Sequence, residues 1–332
     1  MNCSYRMLRL CLGLLAAALL CVLVLLVWLL APVMAQPDFA ARKGELARAR
    51  TTLQWSVPGG RVAQVSLEST SGLAVELALL LPDEPLPGRP LLLMLGGQET
   101  GRQAVELLPD TRGVAVAALS YPFGTIPHRD SLALALALPR IQRGILDTPP
   151  AAMLALDYLL AHPDLTPQRV EMAGISFGAF IAAVPAVLDP RVQRLWLIHG
   201  SADPQQVIAA GLRGRLSPAP LREGVAWWLA AVAGAHHLSP EHWVGRLPPR
   251  PLVVISAAQD SALTTAAVAQ LHGALRPPFE VFWSPGDHVH PKRPETIRYI
   301  TRLLLHRIRQ SVEEGAFGGD GLPQPAGGVG LP

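Results

Sequence analysis

The chain has 332 residues, half of them hydrophobic and 16% charged, with a formal net charge of +3. So small a charge, with no basic run interleaved with aromatics, argues against nucleic acid as a partner. All three cysteines (Cys3, Cys11 and Cys21) lie in or before an N-terminal apolar run, so the remainder has neither a disulfide nor thiol chemistry.

From Leu8 to Leu30 the sequence reads LRLCLGLLAAALLCVLVLLVWLL, with Arg9 its one charge. At 1.5 Å per residue, about 20 apolar residues cross a hydrocarbon core ~30 Å thick. A secretory h-region is shorter, at roughly 7–15 residues. Residues 1–35 are therefore expected to be a transmembrane helix, an anchor with the following domain on the external face. The alternative is a signal cleaved near Ala35, where Val33-Met34-Ala35 precedes Gln36. Arg6 and Arg9 precede the run and Arg42, Lys43, Arg48 and Arg50 follow it, so the basic residues leave its orientation open.

Residues 36–314 suit one α/β domain. RVAQVSLEST and LAVELALLL read as a lead-in antiparallel hairpin. Then come PLLLML (Pro90–Leu95), GVAVAAL (Gly113–Leu119), RVEMA (Arg169–Ala173), RLWLIH (Arg194–His199), PLVVIS (Pro251–Ser256) and FEVFW (Phe279–Trp283). Apolar runs without polar alternation are strands covered on both faces, as in a parallel sheet.

Helical patterns alternate with these runs. GRQAVELL follows the first, and a helix capped by Thr148, with Pro149 at its first position, is expected before the third. Another follows Ser176, kinked at Pro185, and the last begins near Pro294 with Ile297, Ile300, Leu304 and Ile308 on one face. The fold class that results is α/β, a doubly wound, mostly parallel sheet with right-handed crossovers. A helix-rich insertion at about 204–249, with Trp227, Trp228, His236, His237 and His242, reads either as a cap over a pocket or as extra packing. The Gly/Pro-rich tail, 315–332, has little to bury and is expected to be disordered.

The chemistry concentrates at Gly174-Ile175-Ser176-Phe177-Gly178, a G-x-S-x-G string between a strand and a helix. A serine hydroxyl needs a base to take its proton and a third group to hold that base. Asp260 follows the fifth apolar run and His288 the sixth, so the chain order is Ser–Asp–His. Loops from the C-terminal ends of parallel strands all lie at one sheet edge, where they meet without distortion. Asp203 is an alternative acid and His290 an alternative base. For an oxyanion, the N–H of Phe177 is one expected donor, and Gly97 or Gln98 in LGGQETG supplies the other. The His236, His237, His242 and Glu241 spacing does not match a known zinc pattern, and no metal or cofactor is expected.

HPDLTPQRVEMAGISFGAF, VGRLPPRPLVVISAAQD and GDHVHP resemble the elbow, acid and histidine passages of the α/β-hydrolase superfamily. The likeness is to its dienelactone-hydrolase and acyl-esterase branches, over about Leu91 to Arg309. It implies Ser176 as nucleophile, Asp260 as acid, His288 as base, and Gly97 and Phe177 around the oxyanion. The expected activity is hydrolysis of a small-molecule carboxylic ester through an acyl-enzyme. A peptidase or acyltransferase on the same residues, or an inactive membrane-tethered binding protein of this fold, are the alternatives.

Overall fold

The computed structural model describes residues 2–98, 100–108, 110–127 and 130–317. It begins with a helix, α1 (Asn2–Met34), on which Leu12, Leu14, Leu19, Val24 and Trp28 are all exposed. Among the described residues, no helix is long and apolar enough to cross a membrane. The span expected over 1–35 includes Met1, which lies outside that set, and the structure does not establish the span.

The far end of α1 is bound to the domain. Val33 is buried, and its carbonyl accepts a hydrogen bond from His237 Nε2 at 2.9 Å. The short α2 (Phe39–Lys43) follows; Phe39 packs edge-on to Trp243, and Arg42 and Lys43 pair with Asp147 and Asp157.

An antiparallel ribbon comes next: β1 (Leu46–Val57), β2 (Gly60–Ser69) and β3 (Ala74–Pro82). The hairpin of β2 and β3 follows the sequence expectation. β1 is an addition, since its solvent-exposed residues carry no apolar period to reveal it. The parallel part consists of β4 (Leu91–Leu95), β5 (Ala115–Leu119), β6 (Val170–Ile175), β7 (Arg194–Ile198), β8 (Leu252–Ala257) and β9 (Phe279–Ser284). The nine strands form one sheet in the order β1-β2-β3-β5-β4-β6-β7-β8-β9.

The pleat of the central strand divides the core. Leu91, Leu93 and Leu95 face one cluster, which includes the long helix α3 (Ser131–Ala161). Leu92 and Met94 face the other, with Trp196, Ile255 and the final helix. The strand is buried on both faces, as the unbroken apolar runs require.

Helix positions differ from expectation in three places. Thr148 does not begin a helix: α3 starts eighteen residues earlier, where Asp130 accepts the N–H groups of Leu132 and Ala133. Thr148 lies inside it, its hydroxyl bonded to the Gly144 carbonyl at 2.8 Å beside Pro149 and Pro150. Pro185 kinks nothing, because α4 (Ala183–Leu188) starts only two residues before it, within the first turn where no helical N–H is needed. The GRQAVELL segment is a 3-10 helix, Gly101–Leu107.

The 204–249 insertion contains α5 (Pro204–Gly211), α6 (Ala219–Val232) and three 3-10 turns. After β8 come α7 (Thr265–Ala274), β9 and α8 (Pro294–Phe317). The last helix buries Ile300, Leu304 and Ile308 as the stripe predicts, and it extends through Gly315–Phe317. The first three tail residues are therefore helical, and 318–332 lie outside the described residues.

Candidate active site

β6 ends at Ile175, and the next residue, Ser176, has φ +54°, the left-handed region that a side chain with a Cβ rarely enters. The flanking glycines are what let the chain turn there. A Cβ on Gly174 would lie 2.6 Å from both Ala182 Cβ and the Gly178 carbonyl oxygen. A Cβ on Gly178 would lie 1.9 Å from the Leu95 carbonyl oxygen of the neighbouring strand. The two glycines thus hold a corner tight enough to lift the serine hydroxyl out of the fold.

The His288 ring meets this hydroxyl. Its Nε2 is 2.7 Å from Ser176 Oγ, and its Nδ1 is 2.8 Å from Asp260 Oδ2. An ionised carboxylate only accepts, so Nδ1 carries the hydrogen and Nε2 is left to accept from the serine hydroxyl. Asp260 sits in the loop after β8, where its other oxygen takes the N–H groups of Ala262 and Leu263, each at 2.9 Å. Burial pushes this carboxyl up, but the bond and charge of His288 and the two backbone donors outweigh it and hold the group below its ordinary value.

The alternative residues do other things. Asp203 caps α5, accepting from Gln206 N–H at 3.2 Å and Gln206 Nε2 at 2.8 Å. His290 Nδ1 takes the Lys292 N–H, although the residue lines the same cavity.

Two further residues hold the His288 loop, and sequence reasoning did not select them. Asp287 accepts the N–H groups of Ser261 and His288 and the Ser261 hydroxyl, and it pairs with Arg293 at 2.6 Å. It thereby joins the acid loop to the histidine loop, and these donors hold its carboxyl well below the usual range. His199, fully buried at the end of β7, accepts the Val289 N–H on Nδ1 at 2.7 Å and reaches Ser284 Oγ from Nε2 at 2.8 Å. Burial, and then the neighbouring His288, lower its pKa to about 4, so the ring is neutral. The sequence signals for both residues were positional: His199 closes the RLWLIH strand, and Asp287 immediately precedes His288.

The glycine loop after β4 lies across from Ser176. The Tyr121 hydroxyl donates to the Gly96 carbonyl. In a trans peptide the C=O and the next N–H point in opposite directions, so the Gly97 N–H is turned away from Tyr121. The same tyrosine ring packs edge-on to Phe177 at 5.1 Å and stacks on Phe123, whose ring also meets Phe177 edge-on at 5.8 Å. One buried side chain therefore touches both Gly96, the residue before Gly97, and Phe177. Gly97, Ser176, Phe177 and His288 all line a cavity of about 320 Å³.

None of the cavity's lining residues comes from 204–249, so the insertion does not wall this pocket. It packs elsewhere, with Gln142 of α3 bonded to the Val232 carbonyl and Gly234 against Val33.

Among the described residues, His199, Asp260 and His288 offer ligand atoms within 4.8 Å of one another. Zinc bonds of about 2.0–2.2 Å need a tighter set. Both nitrogens of each ring are, moreover, already hydrogen-bonded. His236 and His237 have ring centroids 3.8 Å apart, but they form no such group with His242.

No family model matches the chain, and no curated protein does. Solved structures are similar. An acetyl xylan esterase from Paenibacillus sp. R4 is 15% identical, with a TM-score of 0.57 over 82% of this chain and 90% of that one. A cold-adapted esterase from an Arctic intertidal metagenomic library is 16% identical, with a TM-score of 0.52 over 77% and 97%. The α/β hydrolase GrgF from Penicillium sp. sh18 is 14% identical, with a TM-score of 0.53 over 74% and 98%. At these identities the likeness is one of fold.

Proposed function

We propose that this chain, which has the α/β-hydrolase fold, cleaves carboxylic esters with Ser176 as nucleophile, His288 as base and Asp260 as the acid that orients it. One observation carries the reading: a serine held at positive φ with its Oγ 2.7 Å from His288 Nε2, whose other nitrogen is 2.8 Å from a buried carboxylate. The similar solved structures, described as esterases, agree with it.

Ser176 Oγ attacks the ester carbon while its proton passes to His288 Nε2. The negative charge that forms on the former carbonyl oxygen is met by the N–H groups of Phe177 and Gly97. His288 then returns the proton to the departing alkoxide, leaving an acyl-serine. A water deprotonated by the same ring releases the acid and restores the hydroxyl. Asp260 keeps Nδ1 protonated throughout and stabilises the transient imidazolium.

The test is turnover of a short p-nitrophenyl ester by the full chain and by Ser176→Ala. The variant is expected to keep no more than the ~10³–10⁴-fold advantage over water that oxyanion donors and binding supply alone. Equal rates from the two chains would refute the assignment.

The exposed apolar residues of α1 support a second proposal, that this helix anchors the domain in a membrane. Membrane fractions should then retain a chain with the α1 peptides intact after alkaline extraction. A soluble chain starting at Gln36 would refute the anchor.

A further inference from the structure

The cavity beside Ser176 runs between the 3-10 helix Gly101–Leu107 and the first turns of α8. Its apolar walls are Ala104 and Leu107 on one side, Ile297, Ile300 and Leu304 on the other, and Met94 of β4. A 3-10 turn is narrower than an α-helix, so this short segment covers less of α8 than a full helix would. Among the described residues, no Asp, Glu, Lys or Arg lines the space.

We propose that this slot binds the acyl chain of a neutral ester, a linear apolar chain longer than acetyl; the proposal rests on Ser176 being the nucleophile. Size is the first argument. The cavity measures about 320 Å³, whereas one water needs roughly 10–15 Å³. An acetyl methyl would leave nearly all of it unfilled.

Lining chemistry is the second argument. Polar side chains also line the cavity (Gln98, Thr100, His290 and Thr301). A charged group among the apolar walls would still lose its water without gaining a charged partner, whereas a hydrocarbon chain loses nothing.

The third argument assigns the chain to the acyl side. Met94, Ala104 and Leu304, which line the cavity, are themselves buried. In an acyl-enzyme mechanism the alcohol must leave before water can enter, while the acyl group stays attached to Ser176 through both half-reactions. A slot walled by buried apolar side chains suits the group that stays.

The experiment measures kcat/KM of the full chain, at one fixed detergent concentration, for p-nitrophenyl acetate, propionate, butyrate, valerate and hexanoate. Each methylene is expected to raise kcat/KM about three- to fourfold, the factor that burying one CH₂ supplies. Ile297→Trp and Leu107→Trp fill the slot from its half-buried walls. Each is expected to lower the hexanoate-to-acetate ratio at least tenfold, while Leu221→Trp, on an exposed face of α6, leaves that ratio unchanged. Ethyl hexanoate should also be a better substrate than hexyl acetate.

A flat or falling series with acetate still cleaved overturns the slot and leaves the hydrolase reading intact. Preference for hexyl acetate overturns the acyl assignment. Failure to cleave any ester removes both readings.

Discussion

His199 Nδ1 accepts the backbone N–H of Val289 at 2.7 Å, so a ring outside the Ser176–His288–Asp260 chain fixes the residue next to His288. Because Nδ1 accepts, the ring's hydrogen is on Nε2, where it donates to Ser284 Oγ. The bonds tie the histidine loop to the ends of β7 and β9. His199→Asn keeps an acceptor near the Nδ1 position, while His199→Phe removes it and leaves the part-buried Val289 N–H without that partner. The Phe variant is expected to lose about 10–100-fold in kcat, with KM changed far less, as a ~1 Å displacement of a reacting group would cause. The Asn variant should recover most of that loss. Equal kcat values for Phe and the natural residue would show that the brace is not needed.

The same ring sets an acid limit to stability. Its folded pKa of about 4 lies below the ordinary 6.5. Above about pH 6.5 the ring is neutral in both states and contributes nothing. As pH falls towards 4, the unfolded chain takes up the proton and the folded chain does not, so stability declines by up to about 3 kcal/mol. Asp260 and Asp287, both held below their ordinary values, act at lower pH: their contribution is present above the usual carboxylate range and is lost as pH falls through the lowered values. Urea midpoints at pH 7 and 4.5 should therefore differ less in His199→Asn than in the natural chain.

Asp260→Asn replaces an acceptor with a group that also donates, which permits the wrong tautomer of His288. The expected loss is about 10³–10⁴-fold in kcat with the fold intact. Asp203→Asn, at the α5 cap, is expected to stay within about threefold, since the carboxyl lies outside the proton path. The reverse ranking in steady-state kinetics would move the acid to the rival loop.

Gly178→Ala puts a methyl group 1.9 Å from the Leu95 carbonyl oxygen, and backbone on one side or the other must shift. A loss of about 3 kcal/mol or more is expected, at the upper end of overpacking effects. Gly224→Ala, within α6 and with nothing inside 4 Å, should instead gain about 0.5–1 kcal/mol. Chemical denaturation of the two variants checks both signs.

Six parallel strands and the Ser–Asp–His order were legible because buried strands are uniformly apolar and strand ends share one edge. β1 was not, because an exposed strand has no hydrophobic period. α3 was misread at its start because proline and threonine signal a beginning locally, whereas tertiary burial of Ile145, Leu146 and Ala151 keeps the helix running through them. The insertion contains the helices expected of it, but whether they cover the pocket depends on which neighbours they bury against, and composition does not encode that. His199 and Tyr121 act through backbone partners distant in sequence, and Asp287 through Ser261 as well as its neighbour His288, so nothing but position pointed to them.

The central claim is that Ser176 is a nucleophile, and a fluorophosphonate tests it without any choice of ester. Intact mass followed by peptide mapping should find one adduct, on Ser176, absent from Ser176→Ala and slowed by at least a hundredfold in His288→Ala. A folded chain that takes up no adduct, or takes it up at another residue, contradicts the account.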